Sequence, residues 1–589
     1  MPNPSRTKTL TLLAITYVVS FCSFAYEFVY SELLTVMYGG TVTQYVITVG
    51  LYFFSLGIGS ALSDELQGEA PSNFFRTEVY LAAVAPAGFM LVVGLNSVAI
   101  PETVPPELVW VVARLPAVAV GFLSGFELPL LTRMVERTDE SGTLLPSSVV
   151  RIFERVHGVV LGVFAWFWSV ERTTGDRSGL SVVLAMDYVG GLFGAIVYAK
   201  VLYPALGLVP TIFVLALLNC VAALVFVVRF SERPWGLFAD ERRGLVSRES
   251  GALLAVCLLL TAGYAGAVAN HRQVDRSVTE LYLEQQIESE YDRGAMDAEI
   301  TSQWTTQYQH VVRYDRTWTG SGPNPHFSGK TEQCLRLGTA VQLCESWADS
   351  YHQGLVDVPM SMYENSPETN VLVVGGGDWI AIDHLRQYDV SVDHVDLDGE
   401  FMRHARNESF FSRWHDDAYQ YDRLNTTVGD GYAYLQNTDE SYDLVLLDIP
   451  GATDDDLLKL YSKEFYGSLR RHLEPDGTVV AWGYSQYGFP EHHKAYVNTV
   501  RAAGFDQFVP YWAWEDVDGD GETERVEQFY VLASGQRPEF PAPDSAEATD
   551  YVRTYSDRYR DLRWREIPRY RGVRVNSLFH PNYDILVDT

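Results

Sequence analysis

The chain has 589 residues, enough for several domains, but its apolar residues, 47% of the total, are concentrated before residue 270. Its formal charge is −31, and only Lys8, Lys200, Lys330, Lys459, Lys463 and Lys494 are lysines among 44 Lys+Arg. Such an acidic, lysine-poor surface suits concentrated salt, where screening leaves exposed ion pairs nearly worthless, and the composition points to a halophile. With no basic patch to neutralise phosphates, nucleic-acid partners are excluded.

In chain order, apolar runs at 10–30, 42–63, 78–100, 108–132, 180–203, 206–229 and 251–270 each approach the ~20 residues that cross a hydrocarbon core. Residues 1–270 therefore read as a multi-pass α-helical membrane bundle of about seven spans in contact with membrane lipids. The stretch His157–Val170 is too short to span and reads as interfacial or re-entrant, with an eighth span as the alternative. Within the spans, Glu27, Arg114, Glu127 and Asp187 are ionisable groups that need a protein-lined or wet environment, either as structural pairs or as a polar site.

Orientation follows from basic residues near the span ends, which favour the cytoplasmic side. Arg6 and Lys8 precede the first span; Arg133, Arg137, Arg151 and Arg155 follow the fourth; Arg229, Arg233, Arg242, Arg243 and Arg248 follow the sixth. With seven spans these segments share one face, which puts everything after residue 270 outside the cell. An eighth span reverses this.

Residues 271–330 read as a charged helical stalk over 271–300, then the start of a hairpin region and a Gly/Pro/Ser loop at Gly320–Gly329. Residues 331–540 read as a doubly wound α/β domain of Rossmann-like type, and 541–589 as a C-terminal extension. Asn370–Val374 is a short β-branched run that breaks into Gly375-Gly376-Gly377-Asp378; a helical stretch follows, and Asp396 lies 21 residues beyond Gly375. Strand, glycine turn, helix and an acid ending the next strand form the nucleoside-binding start of such a sheet. Gly429-Asp430-Gly431 follows a third strand, and YDLVLLD ends in Asp448. Four acids thus fall at the carboxyl ends of successive strands, where open α/β sheets hold their ligands.

At these residues the chain resembles the spermidine synthase (aminopropyltransferase) family over about residues 305–535. The resemblance rests on Tyr308-Gln309, Gln342, Tyr351-His352, GGGD at 375–378, VDLD at 395–398, GDG at 429–431, YDLVLLD at 442–448, LYSKEFY at 460–466 and LEPDG at 473–477. The YE of Tyr26-Glu27 and the DYVGGLFGA of 187–195 resemble the bundle of membrane-fused members, and with the composition suggest a halophilic archaeon. The resemblance implies a decarboxylated S-adenosylmethionine or similar adenosyl sulfonium donor. Gln309 and Asp378 would hold its amino tail, Asp396 the ribose and Asp430 the adenine amino group, with Gln342, Tyr351, His352, Gly375 and Gly377 completing that site. Asp448 would be the base for an attacking amine.

Three positions depart from the family. Its second acid in DxxDP is Gly451 here, so the acceptor need not be a diamine; its YHE glutamate is Gln353; and the glycine after GGGD is Trp379, whose indole is expected to crowd the nucleoside. Cys334 and Cys344 flank a candidate hairpin turn, either as a disulfide, which implies an oxidising compartment, or as two buried thiols. Asp516-x-Asp518-x-Asp520-Gly521 with Glu527 fits a calcium-loop pattern, although a strand follows instead of a helix.

Three functions compete. The first is a membrane-tethered aminopropyl or related alkyl transferase acting on a small molecule. The second is an extracytoplasmic enzyme modifying a lipid or lipoprotein on the same fold. The third is a non-catalytic binding or scaffold module.

Overall fold

A computed structural model describes residues 4–38, 42–97, 104–138, 179–230, 246–292, 294–338, 340–452 and 455–585. The stretch His157–Val170 and the basic residues Arg151, Arg155, Arg233, Arg242 and Arg243 lie outside the described residues. The chain divides into two compact units, Met1–Tyr38 with Val42–Leu283, and Glu284–Thr589 with the short piece Gly39–Thr41.

The first unit is helical. Among the described residues, seven helices are long and apolar enough to cross a membrane: Lys8–Tyr38, Gln44–Glu65, Ala70–Asn96, Glu107–Glu136, Leu180–Leu206, Leu208–Phe230 and Gly251–Ala269. Side chains on their outer faces are apolar, with Val228, Leu259, Phe54 and Tyr188 at least two-thirds exposed. Small residues let the helices approach closely. A Cβ added at Gly190 or at Gly194 would lie 2.5 Å from the carbonyl oxygen of Tyr17 or of Phe21 respectively, so the VGGLFG segment lies directly on the backbone of the first helix.

The second unit begins differently from the expected stalk. Helix α1 (His271–Ser289) ends before residue 300, and strand β1 (Met296–Thr305) replaces helix over the last part of that segment. Ala298 and Ile300 of β1 donate main-chain N–H groups to Glu288 and Glu284 of the helix. The division between units falls near 283 and not at 270, because α1 continues past the apolar run.

Strands β1, β2 (His310–Trp318), β3 (Thr331–Leu337) and β4 (Ala340–Cys344) form an antiparallel meander. Cys334 and Cys344 sit opposite each other in the β3–β4 register and form a disulfide with Cα atoms 4.1 Å apart. Of the two sequence readings, the structure has the bonded one.

The larger sheet has eight strands in the order β12-β10-β11-β9-β8-β5-β6-β7. Strands β5 (Asn370–Gly375), β6 (Ser391–Asp396), β7 (Leu424–Val428), β8 (Tyr442–Asp448) and β9 (Leu473–Trp482) run parallel, and β10 (Gln507–Glu515), β11 (Glu524–Ala533) and β12 (Arg565–Glu566) add an antiparallel edge. Central strands buried on both faces read as continuous apolar runs, as NVLVV and LVLL do. One core packs Val371, Val373, Leu444, Leu446, Val480 and Phe529 on one face; another packs Leu372, Val374, Val445, Leu447, Val479 and Leu532 on the other. The described part of the expected extension, residues 541–585, is packed into the domain and not appended to it. Tyr551, Val552 and Tyr559 belong to the first core and Ile567 and Ile585 to the second, so the segment closes both faces.

Candidate active site

The carboxyl ends of β5, β6 and β8 converge on the glycine turn. Gly375 and Gly376 have φ of 86° and 72°, and a Cβ on Gly375 would lie 2.0 Å from the Asp448 carbonyl oxygen. No other residue fits there. The Gly376 N–H donates to that carbonyl at 2.9 Å, which locks the turn against the end of β8. A Cβ on Gly377 would meet Asp396 Oδ2 at 3.0 Å, so this main chain and the second-strand acid are in near contact.

Asp448 ends β8 half-buried. Its Oδ1 accepts from the Tyr351 hydroxyl at 3.4 Å; its Oδ2 is buried without a hydrogen bond, 3.7 Å from His352 Nε2. His352 Nδ1 is 2.7 Å from the Ala348 carbonyl, which fixes the ring, and Nε2 also lies 3.9 Å from Asp378 Oδ2. Burial works against a charged His352, but Asp448 and Asp378 outweigh it and hold its pKa above the usual value. Burial also raises the Asp378 carboxyl, with His352 opposing and Asp448 reinforcing. One Asp378 oxygen accepts from the Ile380 N–H at 3.0 Å. The Tyr351 phenol is pushed well up, first by burial and then by Asp448.

Asp396 accepts from the Asp398 N–H at 2.7 Å, and burial followed by neighbouring acids pushes its carboxyl up to about 6. The Gln309 amide donates to Asp398 Oδ2 at 3.2 Å. Asp398 also caps the helix Gly399–Asn407 and accepts from Thr306. Gln342 is a half-buried residue of β4. Asp430 caps Gly431–Asn437 through the Ala433 N–H at 2.8 Å, and its other oxygen is 2.6 Å from Lys459 Nζ. Burial would raise its pKa, but Lys459 outweighs that and holds it below the carboxylate range.

Trp379 does not crowd the crevice. Its backbone is left-handed, at φ 72°, which turns the indole away from the glycine loop into the core. There Nε1 donates to the Met402 carbonyl at 3.1 Å, and the ring meets His394, Tyr419 and the Arg406 guanidinium. The obstruction expected at this position is absent for that reason.

The calcium pattern is also corrected. The β10–β11 hairpin turn brings together Asp516, Asp518 and Glu524, not the set ending in Glu527. Asp516 accepts from Gly521 N–H, Asp518 from Asp520 N–H, Asp520 from Glu522 N–H and Glu524 from Val517 N–H. The carboxylates thus satisfy their own main chain. Glu527 is on β11, facing the crevice, where Trp482 Nε1 donates to its Oε2 at 2.6 Å.

In the helical unit, Arg114 lies over the Trp110 ring at 3.7 Å and donates to Gln44, apart from the acids. Glu27 is buried separately. Glu127 is within electrostatic reach of Asp187 and neighbours Glu78, which the sequence reading missed because one acid in an apolar helix resembles an anchor. It also missed Lys459, although a lysine 11 residues beyond a strand-end acid stands out in a chain with six. A third omission is His384, bracketed by Asp349 at 3.3 Å and Asp357 at 3.4 Å and stacked on His352 with centroids 6.2 Å apart.

Carboxylates at the ends of successive parallel strands, opening onto a glycine turn with a histidine poised against one of them, place the second unit among the α/β group-transfer enzymes. Comparison narrows this: residues 348–514 match the spermine/spermidine synthase domain, and with the relatives named below the protein is a transferase. Polyamine aminopropyltransferase 1 of Streptomyces coelicolor is 26% identical over 86% of this chain and 82% of its own length. The polyamine aminopropyltransferase of Oceanobacillus iheyensis is 26% identical over 79% and 75%. Polyamine aminopropyltransferase 1 of Ralstonia nicotianae is 26% identical over 92% and 88%, a coverage that necessarily includes much of the helical unit. The spermidine synthase of Thermotoga maritima is similar at 17% identity over 46% of this chain and 80% of its own, with a TM-score of 0.33.

Proposed function

We propose that the protein is a membrane-anchored aminopropyltransferase that takes the aminopropyl group of decarboxylated S-adenosylmethionine to an amine. The observation that carries this reading is the buried Oδ2 of Asp448 beside the glycine turn, which has no hydrogen bond and only His352 Nε2, at 3.7 Å, near it. A buried polar atom without a partner is costly, and an incoming N–H satisfies it. The amine nitrogen forms a bond to the carbon beside the sulfonium, the C–S bond breaks, a neutral thioether leaves, and the ammonium proton passes to Asp448. Asp396 accepts from the ribose hydroxyls, and Asp378 holds the donor's amino tail. Asp430 takes the adenine amino group, and Gln309 stiffens the ribose wall through Asp398. Tyr351 and His352 hold Asp448 in place. The names of the relatives support the chemistry, and the seven apolar helices with apolar outer faces support an anchor in lipid. The test is release of 5′-methylthioadenosine by the full-length protein given decarboxylated S-adenosylmethionine and a panel of amines; no release with any amine refutes the reading.

The Cys334–Cys344 disulfide favours a second reading of the compartment, in which the α/β unit faces an oxidising exterior and modifies a lipid or lipoprotein. Labelling intact cells with a non-permeant thiol reagent after mild reduction separates the two. Labelling of Cys334 and Cys344 only after lysis removes the exterior reading.

A further inference from the structure

Sheet register brings one more carboxylate to the crevice. Leu447 of β8 pairs with Ala481 of β9, and Trp482 pairs with Phe529 of β11, so Asp448, Trp482 and Phe529 stand in one row. Strand β11 runs antiparallel to β9, so Glu527, two residues before Phe529, projects beyond the carboxyl ends of the parallel strands. Phe529 and Val531 pack with Leu444, Leu446 and Val480, and a bulge in β11 between Arg525 and Gln528, opposite Ala513 of the same core, sets Glu527 beside the Trp482 indole. Asp448 shares the face of Leu444 and Leu446.

The space between the two acids has a wall. The Tyr351 ring packs on Phe529 with centroids 5.3 Å apart and reaches Asp448 through its hydroxyl, and its ionisation responds to both Asp448 and Glu527. Glu527 itself is oriented by the Trp482 indole, which takes Oε2 and leaves Oε1. Among the described residues it forms no ion pair. Burial raises its carboxyl, with the indole and the Gln528 main chain opposing, as suits a carboxylate whose counter-charge arrives with a ligand. The position where DxxDP would supply a second acid is Gly451.

We propose that Glu527 binds the distal ammonium of an α,ω-diamine whose other nitrogen is presented to Asp448; this rests on the aminopropyl-transfer reading. Two strand spacings separate Asp448 from Glu527 laterally, roughly 10 Å. An extended four-carbon diamine with a charged hydrogen bond of about 2.8 Å at each end covers that distance, its methylenes lying along the Tyr351 ring. The acid missing from the loop after β8 is thus replaced from the antiparallel edge of the sheet, and the acceptor remains a diamine.

The test compares 1,4-diaminobutane with 1-aminobutane on the full-length protein at saturating decarboxylated S-adenosylmethionine. In Glu527→Gln the diamine-to-monoamine ratio of kcat/KM is expected to fall by about 10- to 100-fold, as for loss of one charge-assisted hydrogen bond, carried by the diamine KM. Trp482→Phe, which frees the carboxylate from its indole, shifts the same ratio in the same direction by less, and it decides the matter if Glu527→Gln does not fold. An unchanged ratio in an active Glu527→Gln protein, or equal losses with both amines, overturns this assignment alone. A wild-type protein that makes no product with either amine overturns the aminopropyl reading and this assignment with it.

Discussion

The acids at the strand ends are spread widely along the sequence and those of the β10–β11 turn are crowded into one short run, yet it is the first group that the structure gathers at a glycine turn. In the turn Asp516, Asp518, Asp520 and Glu524 each accept a main-chain N–H of the same loop, and Asp516 keeps one buried oxygen without a hydrogen bond. At the strand ends Asp378, Asp396 and Asp430 also accept main-chain N–H groups, but Asp396 and Asp378 are raised by burial, and Asp448 holds a buried oxygen with no hydrogen bond against the glycine turn. The difference teaches that clustering of acids does not make a site; what does is a rigid element that holds them together out of water beside a backbone that leaves room for a ligand.

The largest effect expected from this contrast is at Asp448. Asp448→Asn keeps shape but removes the base, and turnover should fall about 10²–10⁴-fold with normal folding; a rate within threefold of wild type would erase the distinction between the two groups.

His384 sharpens the contrast through two acids off the strand ends, Asp349 and Asp357, which are paired. Burial disfavours its charged form, but Asp349 and Asp357 outweigh burial and raise its pKa to about 10. Because the folded value lies above the unfolded value, the stabilisation is complete below about pH 6.5 and is lost as pH rises through about 10. His384→Gln should cost roughly 3–5 kcal/mol at pH 6, and the gap from wild type in urea midpoint should close by pH 10.5. A gap independent of pH would mean that the ring acts by packing alone.

The smallest effect belongs to the turn. Asp516→Ala removes the acceptor for the Gly521 N–H and should cost about 1 kcal/mol, with turnover unchanged and with no rise in thermal midpoint from millimolar calcium in the wild type. A calcium-dependent rise of several degrees would restore a metal role to these acids.

The placement of the candidate site was legible because it lies at strand ends next to glycines, where composition and period both speak: Gly375, Asp378, Asp396, Asp430 and Asp448 were read at or just past the strand ends where they lie. The Cys334–Cys344 pair was legible as a symmetric spacing about a turn. Trp379 was misread because a left-handed backbone at one residue decides which side of the loop its indole takes, and no periodicity reports that. Glu527 was misread because it follows a loop-like acidic run in sequence, whereas its place beside Trp482 depends on strand order and on the bulge in β11. That Gln309 hydrogen-bonds Asp398, the last residue of VDLD, was not legible, because the two are 89 residues apart and meet only through the fold.

The most direct test of the contrast is calorimetric titration of decarboxylated S-adenosylmethionine into the full-length wild type, Asp396→Asn and Asp516→Asn side by side. The structure predicts binding to the wild type and to Asp516→Asn with equal affinity, and at least tenfold weaker binding to Asp396→Asn. Equal affinity in all three, or no binding to the wild type, would contradict the assignment of the strand-end acids as the ligand site.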